Sequence, residues 1–157
     1  MSEHVVEAGP KESRPVLEKL RAVVRGEAPL APIAELIPFQ LTAISEERAT
    51  IEMEAGPQHA NPLGTLHGGI LCDIADAAMG LAYASMLLEG ESFTTIELKI
   101  NFLKPIWTGK LRAEGRVVKR GRTVGLVESD VFDTKGSLVA RASSTCMTLR
   151  GAGAAGR

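Results

Sequence analysis

The residues best suited to chemistry lie between Asn61 and Asp76. There His67-Gly68-Gly69 leads into the small-residue run Cys72-Asp73-Ile74-Ala75-Asp76-Ala77-Ala78. The run reads as a helix whose start is stripped to glycine and whose interior holds acids among alanines. Both features are costly in a helix that only packs. Glycine costs about 1 kcal/mol relative to alanine inside a helix, and aspartate is also a poor interior former. A bare helix start, however, offers free N–H groups and a partial positive charge to an oxygen atom. A carboxylate further along can act as general base or as nucleophile. Other groups suit less. His59, His67 and an aspartate lack the spacing of a metal site. Cys72 has no activating neighbour in sequence, which points to a buried structural thiol.

These groups need elements to hold them. Apolar spacing predicts a helix from Leu66 or His67 to Leu88, with Ile70, Ile74, Ala78, Leu81 and Ser85 near one stripe. Gly80 and the alanines at 75, 77, 78, 82 and 84 keep it thin enough for a curved sheet to wrap it closely. Before it, residues 55–66 form a loop rich in glycine, proline and asparagine, where binding groups tend to collect. Phe39, Leu41 and Ala43 alternate, as do Ala49, Ile51 and Met53, with Ser45-Glu46-Glu47 as the turn between two strands. Ile96, Leu98, Ile100 and Phe102 alternate with Thr95, Glu97, Lys99 and Asn101. Strands follow over 111–120, 124–133 and 138–149, with turns at Gly121-Arg122 and Lys135-Gly136.

One long helix against an antiparallel sheet of about six strands is an α+β arrangement, spanning residues 37–149. A single helix cannot cover both faces of that sheet, so the open face is expected to meet a second subunit. Residues 1–36 form an extension with one helix, from Pro15 to about Arg25, carrying Val16, Leu17, Leu20, Val23 and Val24 as its stripe. Pro29 and Pro32 bracket a loop with one short helical turn. Residues 1–14 are polar and read as loosely attached, and 150–157 form a flexible Gly/Ala tail.

Bulk properties exclude several classes. The 157 residues suit one domain. A net charge of −1, from 18 basic and 19 acidic residues, gives no field for nucleic acid. Four Phe, one Tyr and one Trp are too few for a base-stacking surface. Cys72 and Cys146, far apart and without metal spacing, read as reduced core thiols of a cytoplasmic protein. The start of the chain carries no signal-like apolar stretch, and the run from Ile70 to Leu88 is broken by Asp73 and Asp76, so no membrane span is expected.

Asn61, His67-Gly68-Gly69 and Asp76, followed by Phe102-Leu103-Lys104-Pro105 and Arg120-Gly121-Arg122, resemble the hotdog-fold acyl-CoA thioesterases, closest to the phenylacetate-degradation (PaaI-like) branch. The resemblance implies a helix wrapped by a curved antiparallel sheet, in homodimers often paired into tetramers, with sites at the subunit interface. It implies that the Gly68 N–H meets the thioester carbonyl oxygen and that Asp76 is the catalytic carboxylate. Asn61 would orient the thioester and the attacking water, and Thr95 would assist that water. His67 and Gly69 would line the substrate site, while Lys104, Arg120 and Arg122 would meet the coenzyme A nucleotide. No cofactor or metal is implied, because coenzyme A is part of the substrate. Asp73, one turn earlier, lacks the matching spacing from His67.

Helix geometry adds a constraint. Gly68 and Asp76 are eight residues apart, about 12 Å along a helix. One thioester carbonyl cannot reach both groups of one chain, so composite sites in an obligate dimer are expected. Two alternatives compete: a hotdog enoyl-CoA hydratase or dehydratase, and a non-catalytic acyl-CoA-binding module. The first usually uses a catalytic histidine in a different motif. For the second, the helix at 15–25 alone is too little for a helix-turn-helix pair. Leu71, Met79, Tyr83 and the N-terminal helix are candidate liners of the acyl pocket.

Overall fold

Alternating strands and one small-residue helix fold together here because each buries what the other exposes. The computed structural model describes residues 13–155. In chain order the helices and strands are α1 (Pro15–Val24), α2 (Ile33–Leu36), β1 (Phe39–Ser45), β2 (Arg48–Ala55), α3 (Gly68–Ala84), β3 (Ser92–Phe102), β4 (Gly109–Arg120), β5 (Val124–Asp133) and β6 (Leu138–Leu149). The six strands form one sheet in the order β1-β2-β4-β5-β6-β3. Every pairing in it is antiparallel. The α+β reading holds, with β3 and β1 at the two edges.

The helix α3 presents Ile74, Ala75, Ala78, Met79, Ala82 and Tyr83 to the sheet, all fully buried. They meet Ile51, Leu111, Ala113, Val127, Val131 and Val139 from the strands. The thin helix is matched from the sheet side by Gly115. A Cβ there would lie 2.2 Å from the Ala78 carbonyl oxygen, so only glycine permits this approach. Gly80 faces the other way and is not part of this contact.

Several boundaries differ from the sequence expectation. Helix α3 stops at Ala84 rather than Leu88. Ser85, fully buried, donates its hydroxyl to the Ala82 carbonyl at 2.7 Å and accepts the Glu47 N–H at 2.9 Å. A serine so engaged competes with helical bonding. The Glu46-Glu47 turn depends on the same contact: Glu47 adopts a φ of 68°, and its N–H is held by Ser85. Strand β3 begins at Ser92, and a bulge at Ile96 interrupts its register with β6 between Thr95 and Glu97.

The N-terminal helix α1 buries Leu17 and Leu20 and packs on β1. The looser attachment expected of residues 1–14 falls mostly on 1–12, outside the described residues. Arg14, which is described, pairs with Glu46 at 2.8 Å. The described part of the tail contains a short 3-10 turn over Gly151–Ala154, and Arg150 bonds Glu91 at 2.9 Å and the Arg122 carbonyl at 2.7 Å.

The outer face of β2, β4 and β5 carries charge, and Val118, Val124 and Leu126 are exposed on β4 and β5. Lys110 pairs with Glu52, Arg112 with Glu114, and Arg116 with Glu128. Further exposed apolar residues, Ile96, Phe102 and Leu103, lie at or just beyond edge strand β3.

Candidate active site

The start of α3 is built so that one N–H stays open. His67 is the N-cap, in extended conformation, and its Nδ1 accepts the Gly69 N–H at 2.8 Å. The next amide along, that of Ile70, bonds the His67 carbonyl at 3.0 Å. Among the described residues nothing accepts the Gly68 N–H. His67 thus organises the helix start, and the N–H of Gly69, a residue expected to line the substrate site, is already satisfied. Gly68 has a packing role too: a Cβ there would lie 2.9 Å from the Phe102 ring.

Asn61 shapes the loop beneath. Its Oδ1 accepts the Leu63 N–H at 2.8 Å, and its Nδ2 donates to the Thr65 hydroxyl at 2.8 Å. Asn61, Gly68, Leu71, Phe102 and Lys104 border one cavity of about 410 Å³. His59, expected to be an exposed loop residue, is half-buried and accepts the Gly56 N–H at 3.0 Å.

Asp76 and Thr95 lie elsewhere. They border a second cavity of about 260 Å³ together with Asp73, and its remaining lining is apolar. Two candidate groups therefore lie apart along α3, a donor at its start and a carboxylate two turns on. Neither of these two cavities contains both.

The arrangement has close relatives. A model of the family described as "Thioesterase superfamily" matches residues 63–140, a span that includes every residue singled out above from Gly68 to Arg122. A Saccharolobus solfataricus protein bearing an esterase name is 34% identical over 118 residues, covering 75% of this chain and 84% of that protein. The chain belongs to the thioesterase superfamily. Mouse acyl-coenzyme A thioesterase 13 is 29% identical to it over 108 residues, covering 67% of this chain and 76% of that one. A crystal structure of a phenylacetic acid degradation-related protein from Ralstonia eutropha superposes with a TM-score of 0.74 at 31% identity, covering 82% of this chain and 98% of that one. The fold is the hotdog fold, and this thioesterase is a thioester hydrolase. Among the described residues no helix is long and apolar enough to cross a membrane.

The electrostatics around the Asp76 carboxylate suit a base in this thioesterase. Asp76 is reached by solvent in the single chain, yet its surroundings are mostly apolar. Burial raises its pKa above the ordinary aspartate value, the neighbouring Asp73 charge raises it further, and the Thr95 side chain opposes both. A raised pKa makes the carboxylate a stronger base for a proton on water. Asp73 is itself raised by burial, with His67 working against it. The thiols are poor nucleophiles. Cys72, half-buried and not the core thiol expected, is raised by burial and then by Asp73 and Asp76. Cys146 is buried and pushed up to about 11, chiefly by that burial.

The cationic residues do not converge. Arg120 is only 15% exposed, bonds Glu91 and the Met86 carbonyl, and lies over the Tyr83 ring at 5.9 Å. It ties β4 to the far end of α3 and is not free for a phosphate. Lys104 pairs with Asp133 at 2.5 Å and holds that carboxyl down at about 2. Arg122 is exposed in the β4–β5 turn. Lys104 and Arg122 flank opposite ends of β4, a strand roughly 35 Å long at its ordinary rise.

Sequence reasoning missed Phe102 against Gly68 and the apolar lining beside Asp76. Part of the latter was readable: Asp73, Asp76, Ala77, Gly80 and Leu81 recur at the spacing of one helix face, and all five border the cavity. Met79 and Tyr83, expected as liners, are fully buried on the sheet side of α3. Leu71 borders the Gly68 cavity instead.

Proposed function

We propose that the chain hydrolyses acyl-CoA thioesters to a free acid and coenzyme A, at composite sites in a homodimer. The observation that carries this reading is the separation of the open Gly68 N–H from Asp76 along one helix, in two cavities. The Gly68 N–H of one protomer meets the carbonyl oxygen, where negative charge grows as the carbon becomes tetrahedral. Asp76 of the partner subunit either takes a proton from water as it attacks, or attacks the carbonyl carbon itself to give an anhydride that water then opens. In both routes the C–S bond breaks and the thiolate of coenzyme A leaves. Thr95 stands beside Asp76 to hold the water, and Asn61 braces the loop under the donor. Lys104 and Arg122 serve the coenzyme A nucleotide from different subunits, given their separation on one chain. Edge strand β3, long and flanked by exposed Ile96, Phe102 and Leu103, supports pairing with a second copy. No cofactor takes part.

The test is thiol release from a panel of aryl- and fatty-acyl-CoAs, with Asp76→Asn as the control. Turnover in the wild type and loss of it in the variant is the expected result. Unchanged turnover in Asp76→Asn removes Asp76 from this role, and hydration of crotonyl-CoA without thiol release replaces the reaction.

A further inference from the structure

The cavity beside Asp76 is roofed by a segment outside both the hotdog domain and the span matched by the family model. Leu30, Ala31 and Ile33 form that roof, and Phe39 at the start of β1 continues it. The floor is α3, where Ala77 and Gly80 leave space beyond the carboxylate. At Gly80 an added Cβ would lie 3.5 Å from the Phe93 ring, an ordinary contact, so α3 and Phe93 run close together along this cavity. Phe93 closes the end. The roof is stiff: Pro29 and Pro32 bracket Leu30 and Ala31 and fix the backbone on both sides. The roof is also seated, since Leu30, Ala34 and Ile37 pack against the core while Ile33 remains 46% exposed at the edge of the cavity. Ile33 thus stands half-exposed at the border of an apolar channel that it shares with the Asp76 carboxylate, on a segment held by two prolines.

Building on the thioesterase reading above, we infer that residues 30–33 set the acyl-size limit of this enzyme, holding it to compact acyl groups. The acyl chain runs from the carbonyl at Asp76 toward Leu81, about 7 Å along the helix axis. The cavity of about 260 Å³ exceeds the roughly 150 Å³ that accepts a benzene molecule. That is room for one ring or a medium-length chain between α3 and residues 30–33. Leu30 and Ile33 are therefore specificity-determining residues, and they act through contact with the acyl tail.

The experiment measures kcat/KM of the full-length chain for hexanoyl-CoA and dodecanoyl-CoA, in the wild type, in the double variant Leu30→Ala with Ile33→Ala, and in Ile33→Trp. One methylene in an apolar pocket changes discrimination by roughly 10-fold or more. The double variant is expected to raise the dodecanoyl-to-hexanoyl ratio by at least about that factor, through both KM and kcat. Ile33→Trp, at a half-exposed position that tolerates bulk, is expected to lower it. An unchanged or reversed ratio in a folded Ile33→Trp protein overturns the inference and leaves the thioesterase reading intact. A wild type that releases no thiol from any acyl-CoA overturns both.

Discussion

Replacing Gly68 by proline deletes the one open amide at the start of α3 and little else. Proline suits the first helical position, and His67, with φ −63° and ψ 130°, already has the backbone that a following proline requires. The added ring needs only the Phe102 side chain to swing away. Loss of a single oxyanion donor is expected to lower kcat by about 100- to 1,000-fold. The sharper consequence concerns Asp76, because about 12 Å of helix separates the two groups. If each site takes its donor from one protomer and its carboxylate from the other, Gly68→Pro and Asp76→Asn chains complement. A heterodimer of the two has one site with both groups intact and one with neither. Random pairing makes half of the dimers mixed, so an equimolar mixture is expected to recover about one quarter of wild-type activity. The assay is thiol release after the two inactive parents, carrying different tags, are refolded together and the mixed dimer is isolated. An isolated mixed dimer no more active than its parents would refute the composite site.

Asp73→Asn removes the like charge that helps raise Asp76, so the acid limb of the kcat/KM profile is expected to move to lower pH; burial, the larger cause, keeps it above that of an exposed aspartate. The base works deprotonated, so the variant gains activity on that limb, and a limb that stays put or moves up contradicts the assignment. The stability sign agrees: a raised carboxylate pKa costs stability as pH rises through it, so Asp73→Asn is expected to be at least as stable as wild type at neutral pH. Gly115→Ala puts a methyl group into the Ala78 carbonyl and is expected to cost about 1–3 kcal/mol, read as a lowered Tm. Arg120→Ala is expected to lower Tm by breaking the half-enclosed link to Glu91, whereas Arg122→Ala is expected to raise the KM for acyl-CoA with Tm unchanged; the reverse pattern would return Arg120 to the binding site.

The sequence was most legible where the information is local. Alternation from Thr95 to Phe102 marks a strand, though not the bulge at Ile96 or the exposure of Ile96 and Phe102, and the glycines at 68 and 69 mark a helix start. The end of α3 was not legible, because Ser85 stops it by bonding Glu47, 38 positions away in the chain. Arg120 failed for the same reason: its partner Glu91 is 29 positions distant, and a charged residue at a hairpin looks solvated until that partner is known. Asp76 and Gly68 stood out as candidates in the sequence, since both are costly choices for packing alone. The roof at 30–33 was not, because its short irregular run has no period and only the tertiary fold lays it across α3.

The two ends of α3 differ in how their fields are answered. The helix has no basic residue in its own last turn, but Arg14 and Arg120, from distant parts of the chain, both donate to the Met86 carbonyl just beyond it. The negative end of the dipole is thereby neutralised from outside. The first turn holds no acidic residue, so the positive end has no such answer. The partial positive charge of such an unanswered helix start acts over about its first turn and is screened by salt. Arg14 and Arg120 therefore satisfy a carbonyl just past the end of α3, while the first turn, with no acidic residue of its own, keeps its partial positive charge.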